Sequence, residues 1–508
     1  MAGDARVVQA MPKAFTKTCF CGIVLSDGAK GTFCIDLSIK DNDTCTEGED
    51  MGRCVRLQKM EIDHLLNVEH GSIRMACNLQ QDHYAHRADV LGIYGQNGSG
   101  KTTMIHALSL LKCLLSGDSL PQEAVHYITM GASQACMMFE FTLEDAGHKA
   151  RAVYQVTFTK QDTNRLAVAE EQFKLSVQRD DGSWPALRTV AKVNMESEDI
   201  LLLPRTRGKW LAECTGQSSA KLMVWKLLAF RSGGSFLFSS NLQKALTSVD
   251  NEDARQLLLL SIYGRFSLFI IGTRGWGPIN MNAMIPFYFR LRNDNFLNEG
   301  SIPVDLIGPT VMPQKEYDII RKTIEMLDCA IDKIIPNLQV ELVEVGHQLL
   351  SDGSRGVAAE LVSVRGANRI PLRYEAEGIK KIVAILQILI EAYNHPMMTL
   401  AIDELDAGIF EYLLGEVLQV FQKRGKGQLI FTSHNLRPLE KLPKQSIIFT
   451  TTNPKNRYMR LKNVKANNNL RNVYFSDITL GGESEELYEQ TNQYEIANAF
   501  SKAGELNG

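Results

Sequence analysis

Apolar and polar residues follow three rhythms along this chain, and each predicts a different element. Strict alternation marks Met60 to Leu65, Met137 to Thr142, Val153 to Thr159 and Gln172 to Val177, as expected of antiparallel strands with one face buried. Short unbroken apolar runs at Val90 to Tyr94, Met397 to Ile402 and Gln428 to Thr432 suit parallel strands covered on both faces. Helical spacing appears in Thr103 to Leu115, with Ile105, Leu108, Leu111 and Leu115 on one face and Gly117 to stop it. It returns in Lys315 to Ile335, closed by Pro336, and in Phe410 to Arg424, closed by Gly425. Another helix opens near Tyr374. Its Ile379, Ile382, Val383, Leu386 and Leu389 alternate with polar positions until Asn394-His395-Pro396 breaks it. Val340 to Val345 and Val357 to Val364, around Ser351-Asp352-Gly353-Ser354, read as a hairpin. The fold class expected is α/β.

The first apolar run feeds a motif. Gly95-Gln96-Asn97-Gly98-Ser99-Gly100-Lys101-Thr102 is a complete G-x-x-x-x-G-K-T phosphate loop between a strand and a helix, the setting that confirms it. Its glycines let successive N–H groups turn inward at a phosphate, and the helix N-terminus adds partial positive charge. Lys101 is expected to neutralise the β- and γ-oxygens of a nucleoside triphosphate, Thr102 to ligate Mg2+, and Thr103 to complete the binding loop.

The Met397 to Ile402 run ends in Asp403-Glu404, placing two carboxylates at the C-terminal end of a buried strand, the edge where open parallel sheets bind ligands. Asp403 is expected to hold Mg2+ through water and Glu404 to polarise the attacking water. The Gln428 to Thr432 run delivers Ser433-His434-Asn435 to the same edge, so His434 is positioned to sense the γ-phosphate.

The order of phosphate loop, Glu375-Ala376-Glu377-Gly378-Ile379-Lys380-Lys381 helix, Asp-Glu strand and Thr432-Ser433-His434-Asn435 resembles the ATP-binding-cassette type of head found in SMC-like and OLD-like AAA family ATPases. The resemblance spans roughly residues 56 to 115 and 370 to 450. It implies a P-loop NTPase of the ABC/SMC-head type, a split head with a β-lobe and an inserted, mainly helical lobe. It also implies that Ala376, Glu377 and Gly378 cap the γ-phosphate of a second copy, so that two ATPs are sandwiched in a homodimer or higher oligomer. Asp406 would then sit at the head-to-head contact, and Gln155 is a candidate for the family's glutamine loop. The usual signature has serine where this chain has Ala376, so one hydroxyl donor is missing. A hydrogen bond to a charged group contributes about 1.5–3 kcal/mol, enough to slow turnover.

Composition narrows the rest. The chain has 508 residues, 44% hydrophobic and 22% charged, enough for two or three packed domains, and a net charge of −3 excludes a globally basic nucleic-acid coat. Its most apolar stretch, Leu257 to Gly272, is interrupted by Arg265 and too short to span a bilayer, and the N-terminal residues carry no secretory pattern. A cytoplasmic protein without membrane contact is expected. Ten cysteines lacking any Cys-x-x-Cys pair read as reduced thiols. Two basic clusters with an aromatic, Arg205 to Trp210 and Lys455 to Lys462, have the composition of nucleic-acid contacts, although a solvated surface gives the same letters and is the favoured reading.

The expected organisation is an N-terminal extension (1–55), the N-terminal half of the head with its β-lobe (56–180), the inserted helical lobe (181–336), the C-terminal half of the head (337–450) and a C-terminal extension (451–508). No sustained heptads occur in the insertion, which argues against a long coiled coil. The function expected is a Mg-dependent ATPase whose head dimerisation controls an effector protein, such as a nuclease or toxin, or engagement of DNA or RNA. The OLD-like resemblance points to bacterial anti-phage defence. The alternative is a slow-turnover nucleotide-gated scaffold or sensor, for which Ala376 is the supporting feature.

Overall fold

The computed structural model describes residues 52–76, 87–161, 165–201, 204, 211–213, 215–293, 296–350, 352–461, 469–480 and 485–505. The N-terminal extension up to residue 51 and the Arg205 to Trp210 cluster lie outside the described residues.

The three apolar runs form the middle of a six-stranded sheet ordered β18 (Tyr458–Met459), β17 (Ile447–Thr450), β3 (Asp89–Tyr94), β16 (Gln428–Thr432), β15 (Thr399–Ile402) and β8 (Leu268–Ile271). All neighbours are parallel except β17 and β18. Every residue of β3, β15, β16 and β17 is buried, which is why these strands read as continuous apolar runs. Helix α1 (Lys101–Ser116) follows β3 and ends at Gly117, whose φ of 75° is the left-handed turn that glycine adopts without strain.

The alternating segments build a second sheet, ordered β2 (Val68–Arg74), β1 (Arg53–Leu65), β4 (Gln134–Asp145), β5 (His148–Lys160), β6 (Leu166–Val177) and β7 (Arg188–Asn194), antiparallel throughout. This is the β-lobe. A third sheet holds β11 (Thr310–Pro313), β13 (Arg355–Arg365) and β12 (Gln339–Leu349), with β14 (Asn368–Pro371) also on β13. Helix α3 (Gln314–Ile334) turns Ile320, Ile324, Leu327 and Ile331 into the adjoining core.

The 181–336 segment, expected to be a mainly helical insertion, carries helices together with strands, and one of these strands belongs to the central sheet. The stretch Leu257 to Gly272 divides into the end of helix α2 (Glu252–Phe266) and strand β8, which joins the central sheet beside β15. Farther on come the antiparallel β9 (Met284–Asn293) and β10 (Phe296–Asp305). A stretch apolar on every side carries no periodicity, so helix and strand could not be told apart in it.

The two large sheets are joined by buried polar side chains. Arg56 donates to the carbonyls of Pro396, Lys426 and Arg87. Gln428, wholly buried, accepts from the Leu57 N–H at 2.9 Å and donates to the Leu57 carbonyl at 2.8 Å, so its amide acts as a peptide unit at the edge of β1. Tyr263 on α2 donates to Thr399 Oγ1, which donates in turn to Gln428. Each bond contributes on the order of 1 kcal/mol, while a buried partner left unpaired costs about 1–3 kcal/mol, so the seam tolerates one arrangement.

Candidate functional site: the phosphate loop and the acid turn

The phosphate loop leaves β3 at the C-terminal edge of the central sheet. Gly98 and Gly100 have φ of 76° and 94°, values that other residues adopt only with strain. A Cβ at Gly95 would fall 1.7 Å from Thr450 Oγ1, so that position excludes any side chain. Ser99 Oγ donates to the Gln96 carbonyl at 2.6 Å and lies 2.5 Å from Thr450 Oγ1. Lys101 Nζ donates to the Gly95 and Gln96 carbonyls at 2.8 and 2.9 Å. Burial lowers its pKa, partly opposed by Asp403, Glu404 and Asp406.

Residues far away in sequence hold this loop. Tyr458 on β18 donates its hydroxyl to the Gly100 carbonyl at 2.6 Å, and Arg457 donates to the Asn67 carbonyl at 2.8 Å. Asn67, in the β1–β2 turn, donates to the Gly98 carbonyl and accepts from Thr103 Oγ1. The Thr103 hydroxyl is thus committed within the protein. Gln96 Oε1 accepts the Glu489 N–H. Arg457 and Tyr458 are 7% and 5% exposed, so these two residues of the second basic cluster are interior support for the loop and offer no ring for base stacking.

The acid pair lies at the end of β15. Asp403 is fully buried, and its Oδ1 accepts from Thr432 Oγ1 at 2.5 Å and from Thr102 Oγ1 at 3.4 Å, while Thr273 Oγ1 stands 3.4 Å from Oδ2. Sequence regions 301 residues apart therefore meet at one carboxylate. Glu404 has φ of 49°, the left-handed region, which costs on the order of 1–3 kcal/mol for a non-glycine and needs support. Its N–H donates to Thr432 Oγ1. Below the turn, Trp276 Nε1 donates to the Asp403 carbonyl at 2.8 Å, and Lys381 Nζ donates to the carbonyls of Glu404 and Ala407 at 2.7 and 3.1 Å. The same ammonium lies 4.1 Å from the Trp276 ring centre. Burial lowers the Lys381 pKa to about 8, against the charges of Asp406 and Glu404.

A cavity of about 1130 Å³ opens between these two halves. Asn97, Gly98, Gly100, Lys101, Thr102 and Thr103 line it on one side, and Asp403, Glu404 and His434 on the other. His434 is exposed, its pKa lowered first by desolvation and then by Lys101. Among the residues expected here, Ala376, Glu377 and Gly378 do not line the cavity; they lie at the N-terminus of helix α4 (Glu377–Asn394). Ala376 and Glu377 are exposed, while Gly378 is buried, and a Cβ on it would lie 1.9 Å from the Gly408 carbonyl. Close approach of two backbones requires this glycine. Gln155 is not at the cavity; it sits within β5 and donates to Cys136 Sγ. Asp406 Oδ2 accepts the N–H groups of His434 and Asn435, tying the two loops within one chain.

Sequence reasoning missed Asn67, Thr273, Trp276, Thr450, Tyr458 and the buried role of Lys381. Among the polar positions of α4, Lys380, Lys381 and Gln387 are all buried.

The residues present fit a magnesium–triphosphate group. Thr102 and Asp403 bring hard oxygen donors together, as Mg2+ requires. The positive-φ glycines and Lys101 form a concave, donor-lined loop at a helix N-terminus.

No protein-family model matches this sequence, and no curated protein matches it. Among solved structures, it is similar to the SMC head bound to the C-winged helix domain of ScpA, at 13% identity and a TM-score of 0.39, covering 81% of this chain and 98% of that one. The SMC head domain from Thermotoga maritima gives 12% identity, a TM-score of 0.34 and coverage of 80% and 99%. The recombination mediator protein RecF with ATP, of the RecFOR pathway, gives 12%, 0.30, and 75% and 93%. These overlaps are loose, and the reading of the site rests on its own geometry.

Proposed function

We propose that the chain binds ATP with Mg2+ and hydrolyses it at the cavity between the phosphate loop and the acid turn. One observation carries this reading: Thr102, beside the loop lysine, and Asp403, at the end of β15, meet at 3.4 Å although they are 301 residues apart. The bound ion would neutralise phosphate charge and order water beside it. The loop N–H groups and Lys101 orient the phosphates, with Lys101 exchanging two backbone carbonyls for phosphate oxygens. Glu404, at the cavity wall, accepts a proton from the attacking water, a role that typically contributes 10²–10⁴-fold. His434 faces the same space and reports on the γ-phosphate.

In this reading a second copy completes the pocket with its exposed Ala376–Glu377 turn, and closure is passed to an effector protein or to nucleic acid. A defence role against phage belongs to the same proposal and has the sequence resemblance as its support. The slow-turnover scaffold reading is favoured by one feature, the absence of any side-chain cap on α4, where Ala376 has no hydroxyl to offer.

Calorimetric titration with ATP and Mg2+, paired with steady-state hydrolysis, tests the proposal. Lys101→Ala removes ATP binding; retained affinity would overturn the loop assignment. Glu404→Gln keeps binding, cuts hydrolysis by about 10²-fold or more and accumulates a dimer on ATP. Hydrolysis at the wild-type rate in that variant would remove Glu404 from the mechanism.

A further inference from the structure

The outer face of the β-lobe carries a donor set that the ATPase reading does not use. Three adjacent strands place His70 of β2, Asp63 of β1 and Cys136 of β4 in one row, since Asp63 is the register partner of both others. Glu61 lies two residues along β1 and therefore on the same face. Their neighbours Ile62, Ala135 and Met137 point the other way, into the core.

The ligand atoms of Glu61, Asp63 and His70 all lie within 4.8 Å of one another, and His70 Nδ1 is 2.7 Å from Asp63 Oδ1. Donors around a tetrahedral zinc ion stand about 3.4 Å apart, so closure by roughly an ångström forms three sides of a site. Directly across from Asp63 stands Cys136, whose Sγ accepts from Gln155 Nε2 at 3.5 Å and Thr157 Oγ1 at 4.0 Å. Lys59 now pairs with Glu61 at 2.5 Å, but a second acid, Glu140, already stands 3.8 Å from its ammonium and can receive it.

We propose that Glu61, Asp63, His70 and Cys136 bind one Zn2+ ion, with loss of the Cys136 thiol proton to solvent. A mixed nitrogen, oxygen and sulfur set suits zinc and discriminates against Mg2+. The ion ties β1 to β2 close to the turn at Leu66–Asn67. Asn67 in turn holds the phosphate loop through Gly98 and Thr103. Zinc thereby stiffens the support of the nucleotide site without entering it.

Cobalt titration of the full chain, stripped by chelator and kept in excess Mg2+, tests this independently of ATP turnover. The wild type gains the visible absorption of four-coordinate Co2+ together with a sulfur-to-metal charge-transfer band, and Zn2+ bleaches both. Cys136→Ser loses the charge-transfer band and keeps visible absorption. His70→Gln and Asp63→Asn lose this signal, with zinc affinity reduced about a hundredfold or more, while their circular dichroism stays that of the wild type. Spectra unchanged in His70→Gln and Asp63→Asn would place the metal elsewhere in the chain and overturn the proposal. So would a charge-transfer band that survives Cys136→Ser, or no cobalt spectrum at all.

Discussion

The phosphate loop and the acid turn face each other across one cavity, yet they are built on opposite plans. The loop carries its chemistry in eight consecutive residues and takes from afar only second-layer support, through Thr450, Tyr458 and Asn67. The turn contributes just two acids of its own. Its backbone is held by Thr432 from β16, Trp276 from beyond β8 and Lys381 from α4, around a Glu404 in a conformation it would not adopt unaided. The phosphate loop is thus encoded locally, and the geometry of the acid turn is assembled from four distant stretches of chain.

That contrast can be broken most severely at Lys381. Replacing it by methionine removes the donor to two buried carbonyls and the cation over Trp276, so hydrolysis falls by about 10²-fold while ATP affinity stays within about twofold. Equal losses in binding and turnover, measured by calorimetry beside steady-state kinetics, would show that the two halves are not separable. Next comes Gly378→Ala. Its methyl meets the Gly408 carbonyl, and separating the two backbones costs about 2–3 kcal/mol of stability in denaturant unfolding. A variant as stable as wild type would mean that the glycine serves something other than packing. The smallest effect is expected at Tyr458→Phe, which deletes one hydrogen bond to the Gly100 carbonyl. ATP affinity drops by a factor of about three to ten, and the turnover number is kept. A fall in turnover with unchanged affinity would reverse the assignment of roles.

The same division explains what could be read from sequence. The glycine spacing, Lys101, Thr102 and the Asp403-Glu404 pair stand in contiguous motifs, and the runs feeding them predicted β3, β15 and β16. Thr273 and Trp276 follow β8, a strand hidden inside a stretch too uniformly apolar to show a period. The burial of Lys381, one of the polar positions of α4, could not be read from the sequence, because it depends on carbonyls supplied by a turn more than twenty residues away. Gly378 was expected only as part of a cap on a second copy's phosphate, because the Gly408 backbone it approaches is not legible from the sequence. The cross-strand row of Asp63, His70 and Cys136 depends on register, which alternation alone leaves undetermined.

Gln428 has one more consequence. Strand β2 pairs with β1 only from Lys59 onward, which leaves the preceding stretch of β1 with peptide groups facing sideways. By taking both polar groups of Leu57, a side-chain amide closes that rim against strands of other molecules. The glue between the sheets therefore doubles as a guard against aggregation.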